Sequence, residues 1–268
     1  MIHQLVLIRG LAREARHWGD FINELKNQYA ARGVGVRIET IDLPGCGQHS
    51  EMTATLTIDK TADFAREKLK EILVREVEQG LPPADDRRLI AISLGGMVAA
   101  SWLARNPTDF QSAVLINSSF RGVSKIYERL RWRSWWRIPV ILKERATARR
   151  EAQILEWVSN DEAKRKAALP LWISIQETRP VSNLNLGIQL ATASSFKAPG
   201  KITVPLFVLA SEADRLADVA CSKAIAKTYG AKIEVHPTAG HDLPLDAGAW
   251  TAAMIAGWKI PPLHESEI

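Results

Sequence analysis

Three side chains of this sequence have the types and the chain order needed to transfer an acyl group. Ser93 carries a hydroxyl that is a poor nucleophile at neutral pH unless an adjacent base takes its proton. His241 offers that base, because an imidazole titrates close to neutrality. Asp214 would fix the imidazole tautomer and stabilise the imidazolium. The surroundings of Ser93 are the most informative stretch of the chain. The apolar run Leu89-Ile90-Ala91-Ile92 enters the serine, and the helical pattern Leu94-Gly95-Gly96-Met97-Val98-Ala99-Ala100 leaves it. Small residues two before and two after the serine, Ala91 and Gly95, let a sharp strand-to-helix turn close and lift the hydroxyl clear of its neighbours.

Other acids compete with Asp214 for the third role. Glu212 comes too soon after its strand, and Asp218 is placed to start a helix. Asp242 adjoins the histidine but would point the other way along an extended loop, which makes it structural.

The elements that must position these groups alternate between short apolar runs and helical patterns, the signature of a mainly parallel sheet wrapped by helices. Strands are expected at Leu5 to Arg9, Val34 to Ile41, Leu89 to Ile92, Ala113 to Ile116, Leu206 to Ala210 and Lys232 to Val235. Helices are expected at Ala15 to Ala31, Thr57 to Gln79, Gly95 to Arg105, Asp218 to Tyr229 and Ala247 to Trp258. The alternation stops between about Phe120 and Pro199, a helical, basic and tryptophan-rich region with no convincing strand.

Four stretches in order give the chain its resemblance to the α/β-hydrolase superfamily. Leu5-Val6-Leu7-Ile8-Arg9-Gly10-Leu11, followed by His17-Trp18, is similar to the strand and oxyanion loop that usually reads His-Gly-x. Ile41-Asp42-Leu43-Pro44-Gly45-Cys46-Gly47-Gln48-His49-Ser50 resembles the family's D-x-P-G-x-G-x-S loop. The turn at Ser93 is the third stretch. The fourth joins Val204 to Asp214, the late acid-bearing strand, with the histidine loop Ala239-Gly240-His241-Asp242-Leu243-Pro244. The chain order Ser, Asp, His is that of this superfamily.

The resemblance implies a fold and a set of roles. The fold is an α/β-hydrolase core at 1–119 and 200–268, with a helical cap inserted at 120–199 that closes over the site and excludes water. Backbone N–H groups of Leu94 and Leu11 would form the oxyanion hole, with Gly10 allowing close backbone approach. Asp42 and Gly45 would fold the neighbouring loop, the first through backbone hydrogen bonds and the second through a positive φ. Neither His49 nor Cys46 is assigned a catalytic role, and His17 with Trp18 is expected to pack the first helix onto the sheet.

Two positions depart from the family pattern. Ala91 stands where glycine is commonest, adding one methyl to a crowded turn. Arg9 replaces the usual histidine before Gly10. Arg9, Arg13 and Arg16 are read as solvent-facing or paired with Asp42; the alternative is a carboxylate or phosphate contact near the pocket.

The chain has 268 residues, 46% hydrophobic content and a formal net charge of +5, which is ample for a sizeable core and argues against global disorder. The first apolar run, Leu5 to Ile8, is too short for a signal peptide. The thiols Cys46 and Cys221 lie far apart and read as unpaired in a reducing compartment, so a cytoplasmic location is expected. His3, His236 and His264 lack metal-ligand spacing, and no dinucleotide or phosphate-binding fingerprint occurs; neither metal nor cofactor is expected.

Positive charge concentrates between Arg129 and Arg150. Arg129, Arg131, Arg133, Arg137, Lys143, Arg145, Arg149 and Arg150 face a single acid, Glu144, and Trp132, Trp135 and Trp136 lie among them. One reading is an amphipathic lid helix with its cations in water and its tryptophans on the core. The other is weak contact with an anionic membrane or an acidic substrate. No nucleic-acid motif accompanies the charge.

The expected activity is hydrolysis of a carboxylic ester or thioester through an acyl-enzyme on Ser93, acting on a small-molecule substrate. The same three residues could instead serve C–C bond hydrolysis, perhydrolysis or acyl transfer. A serine at the turn argues against dehalogenases and epoxide hydrolases, which place aspartate there. From a different class, a hydrolase-like scaffold could serve as a non-catalytic ligand- or membrane-binding protein.

Overall fold

The computed structural model describes residues 1–260, with the side chains of Arg133 and Trp135 left out. His264 lies outside the described residues.

Apolar, β-branched runs that cannot face water on either side build the middle of one sheet. β1 (Ile2–Ile8), β3 (Asp86–Ile92), β4 (Ser112–Ile116) and β5 (Leu206–Ser211) are almost wholly buried. The edges, β2 (Gly35–Ile41) and β6 (Lys232–His236), carry polar residues and are half-buried. Among the described residues the sheet has six strands in the order β2-β1-β3-β4-β5-β6, and every pairing is parallel. Continuous apolar strands of this kind occur where both faces are covered.

Strand alternation divides the core in two. Val6, Ile8, Leu89 and Leu115 face α2 (Ile58–Glu78), α3 (Leu94–Arg105) and α10 (Val219–Tyr229), where Leu69, Val98, Trp102 and Ile225 complete the layer. Leu5, Leu7, Ile90, Val114 and Phe207 face the opposite way. They pack on Leu25 and Tyr29 of α1 (Phe21–Ala30), on Ile255 of α12 (Gly248–Gly257), and on Trp258 beyond it. A single turn, α11 (Leu243–Asp246), precedes α12.

The other helices of the described residues lie between β4 and β5. They are α4 (Ile126–Arg129), α5 (Trp132–Trp135), α6 (Arg137–Lys143), α7 (Thr147–Val158), α8 (Glu162–Thr178) and α9 (Asn183–Ser195).

Two expectations need correction. The helix expected from Ala15 to Ala31 breaks after a 3-10 turn at Ala15–Trp18, because Gly19 takes φ +49 and redirects the chain into α1. The single amphipathic lid helix is absent from the described residues. Non-helical backbone at Leu130 and Arg131 separates α4 from α5, and Trp136 marks the joint between α5 and α6, so no continuous apolar stripe forms. Trp132 and Trp136 accordingly stand 62% and 74% exposed instead of packing on the core. Part of the cationic charge is also used internally. Arg129 donates to the carbonyls of Ala193 and Ser194, Arg131 pairs with Asp218, and Arg149 pairs with Glu144. Among the described residues no helix is long and apolar enough to cross a membrane.

Candidate active site

β1 and β3 lie side by side, yet β1 leads outward to β2 while β3 leads the opposite way to β4. Loops that diverge from two such strands leave a crevice at their carboxyl ends, the usual ligand position in an open parallel sheet. The register pairs Ile8 with Ala91, so the residues two further on, Gly10 and Ser93, come out side by side.

Ser93 adopts φ 57°, ψ −120°, a conformation that L-residues rarely hold without support. Its N–H donates to Ile116 O at 2.9 Å, and Ser118 Oγ donates to its carbonyl at 2.8 Å. The requirement for a small residue at 95 is explicit here. A Cβ on Gly95 would lie 2.7 Å from the carbonyl oxygens of both Ile8 and Arg9. Ala91, the other small position, is fully buried, and its methyl is accommodated within the core.

His241 reaches Ser93 from the loop after β6. Its Nε2 is 2.9 Å from Ser93 Oγ, and its Nδ1 is 2.7 Å from Asp214 Oδ2. A carboxylate only accepts, so Nδ1 carries the proton and Nε2 is left to accept from the serine hydroxyl. Asp214 is itself fixed: its Oδ1 accepts from the N–H groups of Leu216 at 2.7 Å and Ala217 at 3.0 Å. Burial works against protonating His241, but the Asp214 carboxylate overcomes this, and the net direction is upward. The structure thus brings Ser93, His241 and Asp214 into one hydrogen-bonded line able to pass a proton off the serine oxygen.

The competing acids are elsewhere. Glu212 is paired with Lys223, and Asp218 caps α10 by accepting from Ala220 N–H at 3.0 Å. Leu94 opens α3, so its N–H has no acceptor one turn back. Leu11 follows Gly10 across the crevice and lines the same cavity. Asp42 behaves as expected, accepting from Ala15 N–H at 2.7 Å and Gln48 N–H at 2.9 Å, and Gly45 has φ +84. Cys46 and Cys221 are free and buried, and burial pushes each thiol up to about 11.

Arg9 and Arg13 are buried, Arg16 is partly exposed, and none of the three is bound to Asp42. Arg9 grips Asp242 through both guanidinium nitrogens, with Nη1 3.2 Å from Oδ1, and lies over Trp18 with its carbon 4.8 Å from the ring centre. Arg13 donates to Glu151 of α7 at 2.8 Å, and Arg16 pairs with Glu14. Asp242 does not turn away from the site: it lines the cavity beside His241. His17 packs edge-on against Trp172 of α8 and not on the sheet, while Trp18 stacks on Phe21 within the core as expected.

Two residues that sequence reasoning passed over hold the site together. Asn117, at φ +44 after β4, donates to His241 O at 2.8 Å and to Ser211 Oγ at 3.0 Å, and accepts from Ser211 N–H at 2.9 Å. An asparagine directly after a buried strand was the available signal, since Asn tolerates the left-handed conformation. Gln189 of α9 accepts from Ala12 N–H at 2.9 Å and donates to Pro44 O at 3.3 Å, joining α9 to both loops beside the crevice. Nothing local in sequence reveals that pairing.

Ser93 opens into a cavity of about 180 Å³. Leu130, Ile141, Ile154, Trp157, Leu186 and Leu190, all from the region between β4 and β5, supply its apolar roof. Its charged lining residues, Arg9, Arg13 and Asp242, are held in ion pairs.

The fold recurs among solved structures. A hydrolase from Pseudomonas aeruginosa PA01 superposes with a TM-score of 0.70 at 19% identity over 94% of this chain and 89% of its own. The esterase RhEst1 from Rhodococcus sp. ECU1013 gives 0.68 at 15% identity, covering 94% and 88%. A membrane phospholipase A described as a bacterial virulence factor gives 0.72 at 20% identity, covering 94% and 76%. No curated protein matches the chain. Residues 3–248 match the family model described as serine aminopeptidase, S33, and the chain therefore belongs to that family of α/β-hydrolases.

Proposed function

We propose that the protein is a serine esterase that cleaves carboxylic esters or thioesters bearing an apolar group, with Ser93, His241 and Asp214 as its catalytic residues. The observation that carries this reading is the line Asp214–His241–Ser93, at 2.7 and 2.9 Å, opening onto an apolar cavity. His241 Nε2 takes the proton as Ser93 Oγ adds to the ester carbonyl. The oxyanion of the tetrahedral intermediate is held by the N–H groups of Leu94 and Leu11. Collapse breaks the bond to the leaving oxygen or sulfur, which receives the proton from His241 and departs. A water molecule, deprotonated by the same imidazole, then adds to the acyl-enzyme, and collapse releases the acid and restores Ser93.

The lining favours an uncharged substrate group. The free ammonium of a peptide N-terminus is best met by an unpaired carboxylate, whereas Asp242, the carboxylate lining the cavity, is occupied by Arg9. The helices from 120 to 199 act in this reading as a cap that keeps water from the acyl-enzyme.

A fluorophosphonate probe followed by mass spectrometry tests the assignment. A single adduct on Ser93, abolished by Ser93→Ala and nearly so by His241→Ala, is expected, together with turnover of p-nitrophenyl acyl esters. A folded wild-type protein that gives no adduct overturns the reading and favours a non-catalytic ligand-binding role.

A further inference from the structure

Arg9 is the last residue before Gly10 and Leu11, and Asp242 is the first after His241, so each sits at the root of one side of the site. Both are buried, at 4% and 3% exposure. Their contact is two-pronged, Nη1 to Oδ1 and Nη2 to Oδ2. A planar fork meeting a carboxylate in this way fixes orientation as well as distance. Trp18 supports the guanidinium from its face. On the far side, Asp242 N–H donates to Val158 O at 2.8 Å, and the Asp242 carbonyl accepts from Leu245 and Asp246. Asp242 therefore cannot slide along its loop, and Arg9 is anchored by the central strand β1. This pair is a direct polar bridge between the loop bearing Leu11 and the loop bearing His241.

We propose that Arg9 and Asp242 form a positioning clamp that sets the spacing between the Leu11 amide and the His241 imidazole and balances the charge beside that imidazole. The inference rests on the esterase reading above for its kinetic consequences, but its structural claim is independent of it. The charged groups bearing on His241 are Asp214 from the loop after β5, Asp242 on its own loop, and Arg9 from the end of β1. The two carboxylates favour the imidazolium and Arg9 disfavours it. A buried ion pair of this kind is a poor source of stability, because desolvating both charges offsets most of their attraction. Its place at the junction of two site loops points to geometry.

Three variants separate fork, charge and packing. Arg9→Lys keeps the cation but loses the fork, so the second-order rate of Ser93 phosphonylation should fall by roughly tenfold or more, with the His241 titration midpoint near the wild-type position. Arg9→Met removes the cation and should move that midpoint upward. Arg9→Met with Asp242→Leu replaces the pair by apolar groups of similar volume; it should fold with near wild-type thermal stability yet remain slow. The titration is followed through the His241 Nδ1–H proton resonance, and folding by circular dichroism. Wild-type phosphonylation rates in both Arg9→Lys and the double variant would falsify the clamp. If wild-type Ser93 fails to react at all, the esterase reading falls. The clamp is then judged on the resonance alone: an unmoved midpoint in Arg9→Met rejects it, and an upward shift supports it.

Discussion

Asn117 Nδ2 donates to the carbonyl oxygen of His241 at 2.8 Å, across 124 residues of chain. Through its other contacts Asn117 also binds both the backbone and the hydroxyl of Ser211. One side chain thus ties the ends of β4 and β5 to the loop that carries the proposed base. Asn117→Ala removes these bonds and leaves buried partners unsatisfied, which should cost about 1–3 kcal/mol. Denaturant unfolding measures the loss. Ester turnover should fall further than stability predicts, because His241 loses the support of its own carbonyl.

Gly10 faces the serine directly: a Cβ placed there would lie 3.0 Å from Ser93 Cβ and 3.5 Å from Ser93 Oγ. Gly10→Ala therefore crowds the nucleophile from the Leu11 side. Thermal stability should change little, on the scale of about 1 kcal/mol, while kcat for ester cleavage drops. Wild-type kcat in this variant would contradict the proposed path of approach to Ser93.

Two histidines should shape the pH response in opposite ways. His241 is raised above the ordinary value of 6.5, burial opposing the cation and Asp214 overcoming it. Its contribution to stability is fully present below pH 6.5 and is lost as pH rises through the folded value, whereas catalysis needs the neutral ring above that value. His17 is lowered well below 6.5 by burial and by the nearby Arg13 and Arg9. Its contribution is present above pH 6.5 and is lost as pH falls through its folded value. His17→Gln should therefore flatten the acid limb of a thermal-stability profile taken between about pH 8 and about pH 5. An unchanged acid limb would remove His17 from this role.

Gln189 is buried and holds the N–H of Ala12, a residue at φ +54. Gln189→Leu leaves that amide and the Pro44 carbonyl without their partner, at a cost of about 1–3 kcal/mol. If Leu11 stabilises the oxyanion, kcat should decline with KM nearly constant, since the loop geometry matters only once the oxyanion forms. A rise in KM alone would instead place Gln189 in substrate binding.

Ile126, Trp136 and Val140 are exposed along α4 to α6, and the exposed cations Lys143 and Arg145 follow closely in sequence. We propose that this segment touches anionic lipid weakly. Co-sedimentation with vesicles containing phosphatidylglycerol should be salt-sensitive and reduced by Trp136→Ala with Val140→Asp. Equal recovery with and without vesicles would reject the contact.

Which residues share the crevice was legible because each announced itself locally. Apolar runs long enough only for strands gave the six strands of the sheet to within a few residues, and Ser93, Asp214 and His241 each sit in a loop with its own pattern. The strained backbone at Ser93 was readable for the same reason: only small neighbours at 91 and 95 permit it. Contacts between distant segments were not legible. Arg9 with Asp242, Arg13 with Glu151 and Gln189 with Ala12 join positions separated by 233, 138 and 177 residues. A charge or amide has no periodicity to declare its partner, so these pairings depend on where the packed elements bring their side chains. The single lid helix failed for a related reason. Composition showed that its residues were helical and amphipathic, but the break at Leu130 and Arg131 interrupts the helix, and Trp132 and Trp136 are exposed. Local propensity and pattern therefore determined the elements and the reacting groups, and tertiary packing determined the polar bridges that hold those groups in place.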